Sequence, residues 1–82
     1  MFVYEVRENA GYDGILDRVL IKDDENALEK VKEALIWMLE LSHQPLASIT
    51  ISDVKNMSKL EEYHSFEVGR YTSFDVEKVE VI

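Results

Sequence analysis

The chain has 82 residues, 17 of them acidic against 9 basic, and a formal net charge of −8, which leaves room for one domain with a modest core. Its 46% hydrophobic content sets it apart from disordered chains, which lack the apolar surface to offset chain ordering. It has no cysteine, which excludes disulfides, thiolate zinc sites, iron–sulfur clusters and cysteine nucleophiles, and its few Lys and Arg argue against binding a phosphate backbone.

Phe2, Tyr4 and Val6 alternate with Val3, Glu5 and Arg7, a period of two that predicts a half-buried strand over residues 2–8. Charge as early as Glu5 leaves no room for the apolar core of a signal peptide, so this segment reads as a strand and not a leader. Asn9-Ala10-Gly11-Tyr12-Asp13-Gly14 is dense in residues that tolerate positive φ. It predicts a reversal into a second strand over residues 15–22, with Tyr12 exposed at the hairpin tip. Asp23 or Asp24 can cap a helix that then meets no Gly or Pro until after Ser42. At about 100° per residue, Ala27, Leu28, Val31, Ala34, Leu35, Met38 and Leu41 form its core stripe, with Leu39 at the margin. His43 falls where the helix dipole favours a cation, and Pro45 ends the helix.

Leu46 to Ser52 returns to alternation, with Ala47, Ile49 and Ile51 on one face, and predicts a third strand. Asp53 to Glu62 predicts a connection containing one helical turn around Met57 to Leu60. Tyr63 to Arg70 and Ser73 to Ile82 predict a second hairpin that turns near Gly69 to Thr72. Phe74 and Val76 share one parity and Val79 and Val81 the other, so a β-bulge between them is expected. The order ββαβββ predicts a single compact α+β domain over residues 1–82: a mainly antiparallel sheet of four to five strands with one long helix packed on one face. The longest apolar run, Ala34 to Leu39, is far short of the roughly 20 residues that cross a bilayer, so a soluble, cytoplasmic protein is expected.

Catalytic chemistry finds no motif. His43 and His64 lack the short ligand spacing of a metal site, and Gly11-Tyr12-Asp13-Gly14 leads into a strand where a phosphate loop needs a helix N-terminus. Asp23-Asp24 and Glu61-Glu62 are neighbours in an acidic surface and carry no sign of a shared proton. The expectation is a protein that is not an enzyme and uses no cofactor and no metal.

What remains is a ridge. Glu25, Glu29 and Glu33 recur at four-residue spacing, Trp37 is next in the series, and Glu40 lies on the same side. Like charges at this spacing weaken an isolated helix by a few tenths of a kcal/mol per pair, so folding does not call for them. Ile36 and Trp37 fall off the core stripe, and tryptophan is enriched among interface anchors. Glu25, Glu29, Glu33, Ile36, Trp37 and Glu40 are therefore the expected protein-binding site. Its partner is expected to be a basic protein, such as a nucleic-acid-binding enzyme engaged by nucleic-acid mimicry, with no direct nucleic-acid binding and no membrane contact. Lys30 and Lys32 border the ridge, and the competing explanation is a solvated face. The alternative function is a small structural or assembly protein that self-associates as a homodimer, through a sheet edge or the face the helix leaves uncovered. In size, charge and element order the chain resembles small acidic proteins encoded by bacteriophages and mobile elements. Some of these block host nucleases by occupying their nucleic-acid channels. The resemblance implies an accessory or inhibitory role and assigns no residue.

Overall fold

Alternation and turn chemistry place the strands where the sequence puts them. The computed structural model describes residues 1–82. Strand β1 spans Phe2–Asn9 and β2 Ile15–Lys22, with a single 3₁₀ turn at Gly11–Asp13 between them. Helices α1 (Ala27–Ser42) and α2 (Ala47–Lys55) follow, then β3 (Tyr63–Glu67) and β4 (Ser73–Glu80). The four strands form one sheet in the order β2-β1-β4-β3, and every neighbouring pair is antiparallel. Both helices lie on one face, so the α+β class holds, with two helices where one was expected and four strands in the order ββααββ.

The missing strand is α2. Ala47, Thr50 and Val54 are buried and Ile51 is half-buried, a spacing of three, four and seven that defines one helical face. Ile49, which alternation grouped with Ala47 and Ile51 on one face of a strand, is 62% exposed. The β-branched residues Ile49, Thr50 and Ile51 favour a strand locally, and burying Thr50 and Val54 against α1 overrides that preference. The helical turn expected at Met57 to Leu60 is absent, because α2 already occupies the preceding residues and ends at Lys55. The N–H of Leu46 donates to the Val68 carbonyl (3.3 Å), tying the start of α2 to the end of β3.

Helix α1 starts later than expected. The Asp24 carboxylate accepts the Asn26 N–H at 2.9 Å in a turn that precedes Ala27, so Glu25 sits before the helix. Its core face is Ala27, Val31, Leu35, Met38 and Leu39. Leu39 is fully buried, whereas Leu41, placed on the stripe from sequence, is 57% exposed. The buried arc is rotated toward Leu39 because α2 packs on that flank. His43 ends the helix in the left-handed region (φ 55°).

The helix-facing side of the sheet contributes Tyr4, Val6, Ile21, Phe74 and Val76 to the core, with Val19 and Phe66 packed at its border. A wholly buried Leu35 or Phe74 contributes about 1.5–3 kcal/mol of transfer free energy. The bulge expected in the last strand is absent, and β4 pairs with β1 in unbroken register from Phe2↔Glu80 to Asn9↔Ser73. Val79 simply faces the other side. The irregularity lies in the first hairpin, where Glu8 pairs with Asp17 and Asn9 with Ile15, leaving Leu16 as the extra residue.

The ladders also fix which backbone groups remain free. Asp23 N–H donates to the Phe2 carbonyl (3.2 Å) and Val81 N–H to the Met1 carbonyl (2.8 Å). Even-numbered residues of β1 therefore bond β2 and odd-numbered ones bond β4. On β2, Asp17, Val19 and Ile21 turn their backbone groups toward β1. Arg18, Leu20 and Lys22 turn theirs outward.

Candidate protein-binding surface

Glu29, Glu33, Trp37 and Glu40 are all exposed on α1, opposite its buried face, and Trp37 retains 54% of its accessible surface. None of the chain's five ion pairs involves an α1 glutamate, so these charges are neutralised by no basic side chain. Lys32 does not serve the ridge. Its ammonium donates to the Met57 carbonyl at 2.9 Å, which turns it toward the segment after α2. Lys30 stays exposed, about two helical turns before Trp37. Two expected members separate from the group. Ile36 is half-buried and packed against the core on the α2 flank, and Glu25 lies in the turn before the helix. The geometry thus joins Glu29, Glu33, Trp37 and Glu40, while Leu41, one turn beyond Trp37, extends the apolar part of that surface.

The face of the sheet opposite the helices is not apolar. Arg7 lies at its centre, with one guanidinium nitrogen donating to Glu5 and Glu77 (both 3.1 Å) and Nε 3.6 Å from Asp75. The Ser65 hydroxyl donates to Asp75 at 2.7 Å, and Arg18 reaches Glu5 at 3.4 Å. The network crosses all four strands. Burial works against the Arg7 charge, yet the hydrogen bonds to Glu77 and Glu5 and the Asp75 charge outweigh it, so its pKa moves upward. Asp75, its most buried member, is fully partnered, and no buried polar side-chain atom of the chain lacks a hydrogen bond. The network also explains how one face of the sheet does without a covering layer.

The remaining ionisable groups are dispersed. His64 accepts the Glu61 N–H at Nε2 (3.0 Å) and stacks on Phe66 with ring centroids 6.1 Å apart. Glu8 is nearly buried opposite Asp17. Desolvation raises its pKa, and the Asp17 charge pushes in the same direction. An open cleft of about 230 Å³ lies between the 3₁₀ turn and the β3–β4 connection, lined by Asn9, Gly11, Glu67, Arg70, Tyr71 and Ser73 among others. Tyr12 meets Tyr71 edge-on at 6.1 Å beside it. Gly11 has φ +64°, and a Cβ there would lie 3.1 Å from the Tyr71 carbonyl oxygen, so the cleft wall requires glycine on two counts. His64 does not line this cleft.

No helix is long and apolar enough to cross a membrane. No protein-family model matches the chain, and no curated protein or solved structure compared with it matches either. Sequence reasoning missed Leu41 as a surface residue and the Arg7 network altogether. Arg7, Glu5 and Glu77 share one strand parity, which is the signal that could have grouped them.

Proposed function

We propose that this chain is a non-enzymatic protein-binding module whose acidic α1 face docks on a basic protein surface. In the sharpest form of this reading the carboxylates stand in for nucleic-acid phosphates, and the partner is a nucleic-acid-binding protein whose site they occupy. The observation that carries it is the half-exposed Trp37 set among Glu29, Glu33 and Glu40, none of which has an ion-pair partner. A flat aromatic ring supplies desolvation energy at the centre of a contact, and unneutralised charge around it accelerates encounter with a cationic surface. Folding gains nothing from the unpaired carboxylates, and Trp37 leaves more than half of its surface open.

The test is affinity capture on immobilised protein, followed by binding titrations with the captured partner at low and high salt. Binding is expected to weaken steeply with salt, to fall by about tenfold or more for Glu29→Lys with Glu33→Lys, and to be competed by duplex nucleic acid. Circular dichroism should show the double variant folded. Binding that ignores both salt and the charge reversals would sink the proposal.

A further inference from the structure

We propose that the protein forms a two-fold symmetric homodimer by antiparallel pairing of β2 with the β2 of a second copy, the axis passing through Val19. The inference does not rest on the acidic-face reading above, although the two share Trp37: the dimer seam covers its ring and leaves only the α1 carboxylates for a basic partner. It starts from the backbone. Strand β2 is an edge, and the N–H and C=O groups of Arg18 and Leu20 face outward with no partner strand. Lys22 keeps a free N–H, while its carbonyl accepts the Asp24 N–H at 3.0 Å. An unpaired edge of this kind is a template for another strand.

Side chains on both sides of that edge favour company. On the open face Leu16 and Leu20 are exposed, Leu20 to 62%. On the helix side, Lys32 and Ile36 mark the flank of α1 that meets α2, and Ala34 and Leu41 lie on the opposite flank, which overlooks β2, with Trp37 at its rim. The other edge of the sheet offers less. Strand β3 has five residues, against eight in β2, and Tyr63 is its one exposed large hydrophobic.

Charge selects the register. Two copies of one strand pairing about an axis normal to the sheet bring side chains of the same face opposite each other, so paired residue numbers must sum to an even value. Among registers that pair five or more residues of β2, an axis at Asp17 sets that carboxylate against its own copy. An axis at Arg18 does the same to the guanidinium, and one at Leu20 sets Arg18 against Lys22. Only the axis at Val19 opposes no like charges. It places Arg18 against the partner's Leu20, Asp17 against the partner's Ile21, and Val19 against itself. The Arg18 and Leu20 pairs then exchange main-chain hydrogen bonds through the outward groups, whereas the outer Leu16 and Lys22 pairs are weakened by the bulge and by the occupied Lys22 carbonyl.

Helix spacing agrees. Helix α1 packs equally on β1 and β2 and reaches β4 less, so at about 4.8 Å between strands its axis projects about 5–6 Å from the two-fold. The two copies of α1 then run antiparallel about 10–12 Å apart, at the outer limit of packed helix distances. Ala34 lies at mid-helix as Val19 lies near mid-strand, so a small residue faces its own copy. Trp37 comes level with the partner's Lys30, a cation–π arrangement. Glu29, Glu33 and Glu40 point away from this seam and remain free.

The test is molar mass by light scattering or native mass spectrometry, from micromolar to millimolar concentration, on the full chain and on Leu20→Arg and Leu20→Glu. Residue 20 is exposed and its N–H points outward, so both changes leave the β1–β2 main-chain hydrogen bonds in place; Glu5, which faces residue 20 across that ladder, is already paired with Arg7 and Arg18, and circular dichroism checks that both variants fold. The natural chain is expected to reach twice 9.5 kDa. Leu20→Arg, which opposes arginine to the partner's Arg18 twice, is expected to stay at the monomer mass. Leu20→Glu pairs with the partner's Arg18 and is expected to dimerise at least as well as the natural chain. Because each copy carries −8, added salt should strengthen the dimer, the opposite of its effect on a basic partner. A natural chain that stays monomeric at millimolar concentration overturns the proposal, and so does a dimer that Leu20→Arg leaves intact or that Leu20→Glu abolishes.

Discussion

Replacing Asp17 by lysine should stabilise the fold. Asp17 is exposed on edge strand β2, directly across the ladder from Glu8, which keeps only 9% of its accessible surface. Desolvation and the facing Asp17 charge both raise the pKa of Glu8. A carboxyl group whose native pKa is raised binds its proton more tightly folded than unfolded. Its favourable contribution is full below the ordinary glutamate range near 4.3 and is lost as pH rises through the raised native value. Near neutral pH the charged Glu8 is therefore a net cost to folding. Like charges directly opposite in an antiparallel pair cost about 0.2–1 kcal/mol, and an opposite pair contributes about as much. Asp17→Lys removes the first and adds the second, for a gain of about 1 kcal/mol at pH 7, or roughly 4–8 °C in Tm for a domain of this size. The assay is urea and thermal unfolding at pH 7 and pH 3, at one fixed protein concentration. Asp13→Lys, in the exposed 3₁₀ turn, makes the same change in net charge without facing Glu8. The gain at pH 7 should exceed that of Asp13→Lys, and the excess should vanish at pH 3, where Glu8 is protonated. An excess that persists at pH 3, or no excess at either pH, refutes the pairing argument.

Asp75→Ala should destabilise by about 1–3 kcal/mol in denaturant titrations, because the Ser65 hydroxyl loses its 2.7 Å acceptor and Arg7 loses its most buried carboxylate while keeping Glu5 and Glu77. His43→Gly should raise stability by up to about 1 kcal/mol, since glycine occupies the left-handed region without the Cβ clash that histidine bears at φ 55°. Unfolding midpoints that fall for His43→Gly would contradict that reading of the α1 terminus. Trp37 fluorescence should be red-shifted in dilute solution and move to the blue as concentration rises, tracking burial at the α1 seam.

How much of this was legible in the sequence depends on whether one local period dominated. Phe2 to Val6 and the Gly-rich reversal after Asn9 left a single reading, and both the strands and the hairpin formed as expected. Ala47 to Val54 carried two periods at once. Ala47, Ile49 and Ile51 fit a strand, while Ala47, Thr50, Ile51 and Val54 fit a helix. The alternation was shorter but used the better strand formers, and only the packing of Thr50 and Val54 against α1 decides between them. That packing is tertiary and does not appear in a window of nine residues. The acidic face was legible because Glu29, Glu33 and Glu40 lie opposite a strong core stripe. Ile36 was misplaced because a helix flanked by a neighbour buries more than one stripe. Leu39 entered the core for the same reason, and Leu41 left it.

The middle ladder of the sheet joins the first strand of this chain to the last, with β1 between β2 and β4. During synthesis the β1–β2 hairpin and both helices emerge with Val6 lacking its partner Val76 and Arg7 lacking Asp75 and Glu77. The core therefore cannot close until β4 arrives, and the most sequence-distant contacts are also the most central. A nascent chain stalled before Ser73 would show an unpaired β1 edge at the centre of an incomplete sheet, a template for misplaced strand pairing.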